Sequence, residues 1–535
     1  MAATIALALG GLVVLLAVTV LAGRTGLPSS VLLVVAGLAY GFLPGPNLGL
    51  DPEVVLMVVI PPLLYAAALE SSLVALRGSA RAVGGLSVGL VAATALAVGA
   101  GVSAAVAAVP LSAGVALGAA VAPPDPVAAL SIGRRAGLPP RLVTLVEGEG
   151  LLNDATALTI LQVAAAAAVG GSFSLGAALG RLLLAAAGGL AVGMVVAVTI
   201  ARVRSVLRDV LVENALSLAT PFAAYLLADE LHVSGVLAVV VTGLWLGYRN
   251  PALQSSQSRL QTRAVWRLVE FLLEGYVFLL IGQQLPTVVR GLRSYAPGTV
   301  VTAAAVTLAV VLLLRPAWLL ATAHLPDRLH ARLGGDRQRG YRPLSGREVV
   351  ALSWAGTRGV ITLAAMFALP LDVPARDLLL FCAYLVVLVT LVGQGLTFAP
   401  LLRALHLGGT GVGQALLRNQ ARTAAVEAGL QRLAALQRAE PDLEEVITPL
   451  RRAAELRRQR YADRVALLSS AEDHDELPVD DSYRRAVRVR REMINAEREE
   501  LLAWRDAGRL PDGGLRTLER ELDHEESLLP APPRG

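Results

Sequence analysis

Glu147–Leu158 reads EGEGLLNDATAL and lies inside a segment, roughly 142–169, that is otherwise almost entirely apolar. Three carboxylates (Glu147, Glu149, Asp154) and the amide of Asn153 sit where a lipid-facing helix carries none. An ionisable side chain at membrane depth costs about 3 kcal/mol or more, so a span that keeps several within two turns is expected to use them. At helical spacing Asp154 shares a face with Gly150 and Glu147, four and seven residues earlier. That face is expected to point at protein or at a water-filled cavity. The plainer reading, a polar patch that only holds helices together, is the weaker one, because intramembrane ionisable groups are functional by default.

The rest of the chain has the composition of a membrane protein. Of 535 residues, 55% are hydrophobic and 17% charged, with a mean hydropathy of +0.61; soluble proteins average about 25% charged residues. Charge is sparse up to about residue 407 and dense beyond it. All basic side chains are arginine, so any cationic role falls to a group that stays protonated. The single cysteine, Cys382, lies in an apolar run and excludes a disulfide framework. No basic-aromatic motif points to nucleic acid. The first 21 residues lack a positive n-region and are long enough to span, which argues against a cleaved signal peptide.

About thirteen apolar runs approach the ~20 residues that a spanning helix needs: 4–22, 29–44, 53–76, 83–108, 112–132, 142–169, 180–201, 210–228, 233–248, 267–286, 298–323, 348–370 and 377–402. Alternate loops carry the arginines: Arg24; Arg77 and Arg81; Arg134, Arg135 and Arg141; Arg202, Arg204 and Arg208; Arg249, Arg259, Arg263 and Arg267; and six between Arg328 and Arg347. Loops 45–52, 109–111 and 229–232 have none; only Arg290, Arg293 and Arg376 break the contrast, with Arg181 near a span end. The positive-inside rule then places the N-terminus outside and everything after residue 403 in the cytoplasm.

Two spans are interrupted. The fifth contains APPDPV, with Pro123, Pro124 and Pro126 around Asp125. Three prolines remove donors and block helical bonding, and such backbone is tolerated only against protein or water. The twelfth contains SWAGTRGV, with Gly356, Arg358 and Gly359 in mid-run. Two broken spans in corresponding halves suggest inverted repeats, spans 1–6 against 8–13, with a carboxylate at the break as an ion site. Arg315, in LLLRPAW, lies deep in an apolar run and needs an acidic partner, either Glu149 or Asp125. Residues 408–535 are rich in Arg, Glu, Ala and Leu. A glycine-rich hinge at 408–413 leads into helix-like spacing over 414–439, 443–470, 481–507 and 514–528, punctuated by Pro441, Pro478 and Pro511.

These stretches together resemble the bacterial monovalent cation/proton antiporters of the sodium/proton exchanger type. The carriers are LVEGEGLLNDATAL (145–158), APPDPVAAL (122–130), PFAAYLLADELHVSGVLAVV (221–240), FLLEGYVFLLIGQQL (271–285), LLLRPAW (312–318) and SWAGTRGVITLA (353–364). The resemblance implies an all-α polytopic membrane fold with two crossed broken helices. The antiporter domain would be 1–407, with core spans about 83–169 and 298–402 and dimerisation spans about 4–76 and 210–286; 408–535 would be a cytoplasmic helical domain. It implies a homodimer working by alternating access, with no cofactor beyond the transported cation and proton. Asp154 would bind both ions, with Asn153 beside it; Asp125 and Pro124 would belong to the unwound crossover. Glu149 and Arg315 would form a structural ion pair, and Arg358 would lie in the second crossed helix. The Asn-Asp pair resembles the electroneutral branch.

The sequence departs from the family pattern in three places. Pro124 replaces a threonine before the crossover aspartate, Gly150 replaces a serine, and Ala66 replaces a glutamate found in some relatives after the Pro61–Tyr65 motif. Fewer side-chain oxygens are then left for a hard cation, which prefers oxygen ligands. Glu70 and Glu147 are the accessory candidates, and potassium or lithium stands beside sodium as cargo. A cation channel and a non-transporting ion or pH sensor are the rival readings; the tail is a candidate site for a regulator. Gly85–Gly89 matches G-x-S-x-G, but inside an apolar span it lacks the strand-turn-helix context of a nucleophile elbow; no enzyme is expected.

Overall fold

The computed structural model describes residues 2–43, 52–135, 137–170, 175–207, 209–323, 344–407, 411–470, 481–507, 509–527 and 529. The loop arginines expected at 328–342, Arg208, Pro478 and the 408–410 part of the hinge lie outside them. Among the described residues every regular element is helical. The chain divides into two compact units, residues 1–408 and 409–535.

In the first unit, α1 (Ala2–Thr25) ends at Gly26, whose φ of +72° is a left-handed conformation that closes a helix without a Cβ penalty. It is followed by α2 (Ser29–Gly41), α3 (52–70), α4 (Leu73–Gly78) and α5 (Ala80–Ala105). The fifth apolar run is two half-helices, α6 (Leu111–Val121) and α7 (Pro126–Arg135), separated where Pro123 and Pro124 withhold their N–H groups. Then come α8 (Pro140–Ala168), which carries the acidic stretch, α9 (Leu175–Val206), α10 (Val210–Glu230), α11 (Gly235–Leu253), α12 (Ser256–Arg290) and α13 (Pro297–Ala323). The twelfth run is also split, into α14 (Gly346–Trp354) and α15 (Val360–Phe367), with Ala355–Gly359 between them. Helix α16 (Arg376–Ala404) closes the unit.

Among the described residues, six helices are long and apolar enough to cross a membrane: Ala80–Ala105, Pro140–Ala168, Leu183–Val206, Val210–Glu230, Pro297–Thr322 and Arg376–Ala404. Four shorter apolar helices accompany them. Large apolar side chains such as Val13, Leu183, Leu184 and Leu313 point outward and are more than half exposed. Lipid, not water, is the medium that suits them. Between apolar helices in lipid the adhesion comes from close packing of small residues. Helices α2 and α12 show this: a Cβ at Gly282 would collide with the Val34 carbonyl, and one at Gly37 with the Leu279 carbonyl.

The second unit contains α17 (Gly411–Ala439), α18 (Glu444–Ser469), α19 (Asp481–Asp506) and α20 (Asp512–Ser527). Helix α17 packs along α18, and α19 along α20. The second pair buries Ile494, Leu515 and Leu522 and adds surface ion pairs from Arg498 to Asp523 (2.9 Å) and Glu526 (3.0 Å).

Gly282→Val should destabilise the unit by about 1–3 kcal/mol through overpacking at the α2–α12 contact. The thermal unfolding midpoint of the detergent-solubilised protein reads this, and an unchanged midpoint would contradict the contact.

Candidate ion-binding site

The two unwound segments cross inside the first unit and bond to one another. The Asp125 N–H donates to the Thr357 carbonyl (2.6 Å), and the Thr357 hydroxyl donates to the Asp125 carbonyl (3.0 Å). The arginines serve the carbonyl ends of the broken helices. Arg358 Nε donates to the carbonyl of Val121, the last residue of α6 (2.8 Å), and its Nη1 bonds the Gly356 carbonyl. Arg315 Nε donates to Leu352, in the last turn of α14 (3.1 Å). A guanidinium is suited to a helix C-terminus, where the backbone dipole leaves partial negative charge. The opposite ends meet a carboxylate. Asp125 immediately precedes α7, and a Cβ placed on Gly359, the residue preceding α15, would overlap the Asp125 carboxylate. Asp125 therefore sits against the N-termini of both downstream half-helices, where negative charge is favoured.

Arg315 also answers the question of its partner. It forks onto Glu149, with Nη1–Oε1 at 2.5 Å and Nη2–Oε2 at 2.8 Å, and both side chains are at most 3% exposed. Of the two partners the sequence allowed, Glu149 makes the pair. Breaking such a pair from one side strands a buried charge.

Asn153 and Asp154 occupy the same turn of α8 with different surroundings. Asn153 is fully buried; its Nδ2 donates to the Pro124 carbonyl (3.2 Å), while its Oδ1 has no partner. Asp154 is 4% exposed and accepts no hydrogen bond among the described residues. It lines a cavity of about 110 Å³, room for several waters. Pro124, Asp125, Glu147, Gly150 and Gly359 line the same cavity. At Gly150 a Cβ would run into the Pro126 ring, so this arrangement leaves no space for a side chain there.

The crossing thus gathers Asp154, Asn153, Asp125, Pro124 and Arg358, with Glu149 and Arg315 behind it. Of the two accessory candidates, Glu147 lines the cavity, within 3.4 Å of the Ser71 hydroxyl. Glu70 does not: it is exposed and outside the lining, because it ends α3 at the surface. Glu274, on α12, also lines the cavity and was not singled out from the sequence, although it is an isolated acid in the apolar run 271–281. Ser87 lies inside the helix Ala80–Ala105, not at a strand-turn-helix junction, and its hydroxyl donates to the Glu149 carbonyl on α8 (3.2 Å).

A helical membrane unit with crossed unwound segments and buried carboxylates around a small cavity is the architecture of a secondary transporter. Residues 11–404 match the family of transmembrane sodium/hydrogen exchangers, and the chain belongs to that family. It is 33% identical to a sodium/proton exchanger of Mycobacterium tuberculosis strain H37Rv, over 97% of this chain and 96% of that one. It is 34% identical to a sodium, potassium, lithium and rubidium/proton antiporter of Bacillus subtilis strain 168, over 48% of this chain and 40% of that one. The fold resembles that of the sodium/proton antiporter MjNhaP1 of Methanocaldococcus jannaschii, with a TM-score of 0.58 at 18% identity, covering 76% of this chain and 99% of that one.

Arg315→Ala should cost about 3–5 kcal/mol of stability by leaving Glu149 unpaired, and adding Glu149→Gln should recover part of it. Thermal unfolding in detergent measures both; a single variant as stable as the parent would contradict the structural role of the pair.

Proposed function

We propose that this protein is a cation/proton antiporter that exchanges cytoplasmic sodium, or alternatively potassium or lithium, for external protons by alternating access. One cation would move per proton, serving pH and sodium homeostasis in a bacterial inner membrane. The observation that carries this reading is Asp154: a carboxylate on a cavity wall, almost without exposure and without a hydrogen-bond donor among the described residues. Such a group needs a proton or a cation to balance it and cannot hold both. That competition is the exchange. Backbone oxygens freed at 122–125, Asp125 and water would complete the shell of a hard cation. The orphaned Asn153 oxygen is a further oxygen within the same turn.

In this reading thirteen spans form two inverted halves. Core spans about 83–169 and 298–402 would move against spans about 4–76 and 210–286, which would also form the homodimer. Ser71 and Glu147 line the cavity toward the arginine-bearing loops, the side that the charge rule assigns to the cytoplasm. The breadth of cations in the name of the Bacillus relative supports leaving the cargo wider than sodium. The helical unit after residue 408 would lie in the cytoplasm and regulate the exchanger or stabilise its dimer.

Purified protein in proteoliposomes, given a cation pulse at each of several pH values, tests this. Alkalinisation of an acid-loaded interior is expected for the parent and should vanish in Asp154→Asn while the protein stays folded. Full activity in that variant, or flux that is conductive and uncoupled from protons, would contradict the proposal. Removing 408–535 should alter the pH response or dimer stability and leave exchange in place; a stable truncated protein with no exchange would refute that part.

A further inference from the structure

The cavity is built by two groups of helices. Asp154, Glu147 and Asp125 come from α8 and the unwound crossover. Helices α3 and α12 supply Ile60, Leu64, Val277 and Phe278 to the lining, and among the described residues Glu274 is the charged side chain they add to it. No basic side chain among the described residues lines the cavity. Among the described residues Glu274 accepts no hydrogen bond and makes no ion pair; its electrostatic neighbours are the like-charged Asp125 and Glu270. A carboxylate in an apolar run at membrane depth, as Glu274 is in 271–281, costs about 3 kcal/mol unless something balances it. Structural carboxylates of this fold show what balancing looks like: Glu149 has Arg315. Glu274 has only the cavity, which it shares with the equally unbonded and nearly inaccessible Asp154.

We infer that Glu274 is a further cation-binding residue of this cavity, supplied by α12 rather than by the site helix α8, and that it sets the affinity for the transported cation. This rests on the antiporter reading above. A monovalent cation in the cavity then lies among carboxylates supplied by two groups of helices that move relative to each other. Asp154 travels with the core and carries the exchanged charge. Glu274 stays with α12, attracts the cation into the open cavity and releases it when the core moves. Its loss therefore weakens binding without removing the site at which cation and proton compete.

The test is the dependence of initial proton flux on cation concentration in proteoliposomes, for the parent, Asp154→Asn, Glu274→Gln and Glu274→Asp. Removing one attractive charge should raise the apparent KM for the cation in Glu274→Gln about tenfold, with the maximal rate within about threefold of the parent. Glu274→Asp keeps the charge but withdraws it by one methylene, and should raise KM a few-fold. An unchanged KM in either folded variant overturns the inference, as does a fall in maximal rate alone. If Glu274→Gln shows no flux, cation-dependent thermal stabilisation in detergent decides. A midpoint concentration shifted upward supports the assignment, and the parent's midpoint refutes it. If Glu274→Gln does not fold, the KM of Glu274→Asp decides alone. A parent without exchange would sink the antiporter reading and this inference with it. A parent that exchanges, an inactive Asp154→Asn and a Glu274→Gln with the parent's KM would sink this inference only.

Discussion

Backbone without helical bonds cannot face lipid, and this constraint governs the structure. The proline-rich segment before α7 and the glycine-rich segment before α15 each leave unpaired N–H and C=O groups. They solve the problem by crossing. The Asp125–Thr357 bonds join them directly, and Arg358 and Arg315 take up carbonyls of Val121 and Leu352. Two arginines in a membrane interior would be unaffordable alone. Here one is neutralised by Glu149, and both face helix C-termini. The opposite polarity, two helix N-termini, is turned toward Asp125 and the cavity.

This arrangement separates the carboxylates by task. Glu149 is saturated by Arg315 and holds α8 to α13. Asp125 is engaged through its backbone at the crossing, so its position is fixed by main-chain bonds. Asp154, one turn from Glu149 on the same helix, has no such partner and opens on the cavity. The difference arises from helical geometry: residues five apart on α8 face different surroundings, one a guanidinium and the other a space for several waters.

Much of this was legible in the sequence because it depends on local chemistry. Pro123, Pro124 and Pro126 forbid a continuous helix wherever they occur, and an acidic run in an apolar span marks the site helix. Arg315 announced a need for an acid, and the residues alone left Glu149 and Asp125 open; the family resemblance pointed to Glu149, and the approach of α13 to α8 brings that pair together. The contacts of Arg358 with Val121 are more than 200 residues apart in sequence and leave no local trace. Glu274 escaped notice because an acid one turn from Glu270, on a helix that also carries arginines, looks like any other interfacial charge, and its place in the cavity lining depends on how α12 packs. Glu70 misled for the converse reason: one turn from Ala66 is near in sequence, yet the helix ends there and the side chain is exposed.

The central claim is that cation and proton compete for Asp154. Calorimetric titration of the purified protein with sodium, in buffers of different ionisation enthalpy, counts the protons released as the cation binds. Release approaching about one proton per cation bound is expected at a pH where the site is protonated, and it should be lost in Asp154→Asn. Cation binding by the parent with no proton release at any pH would contradict it.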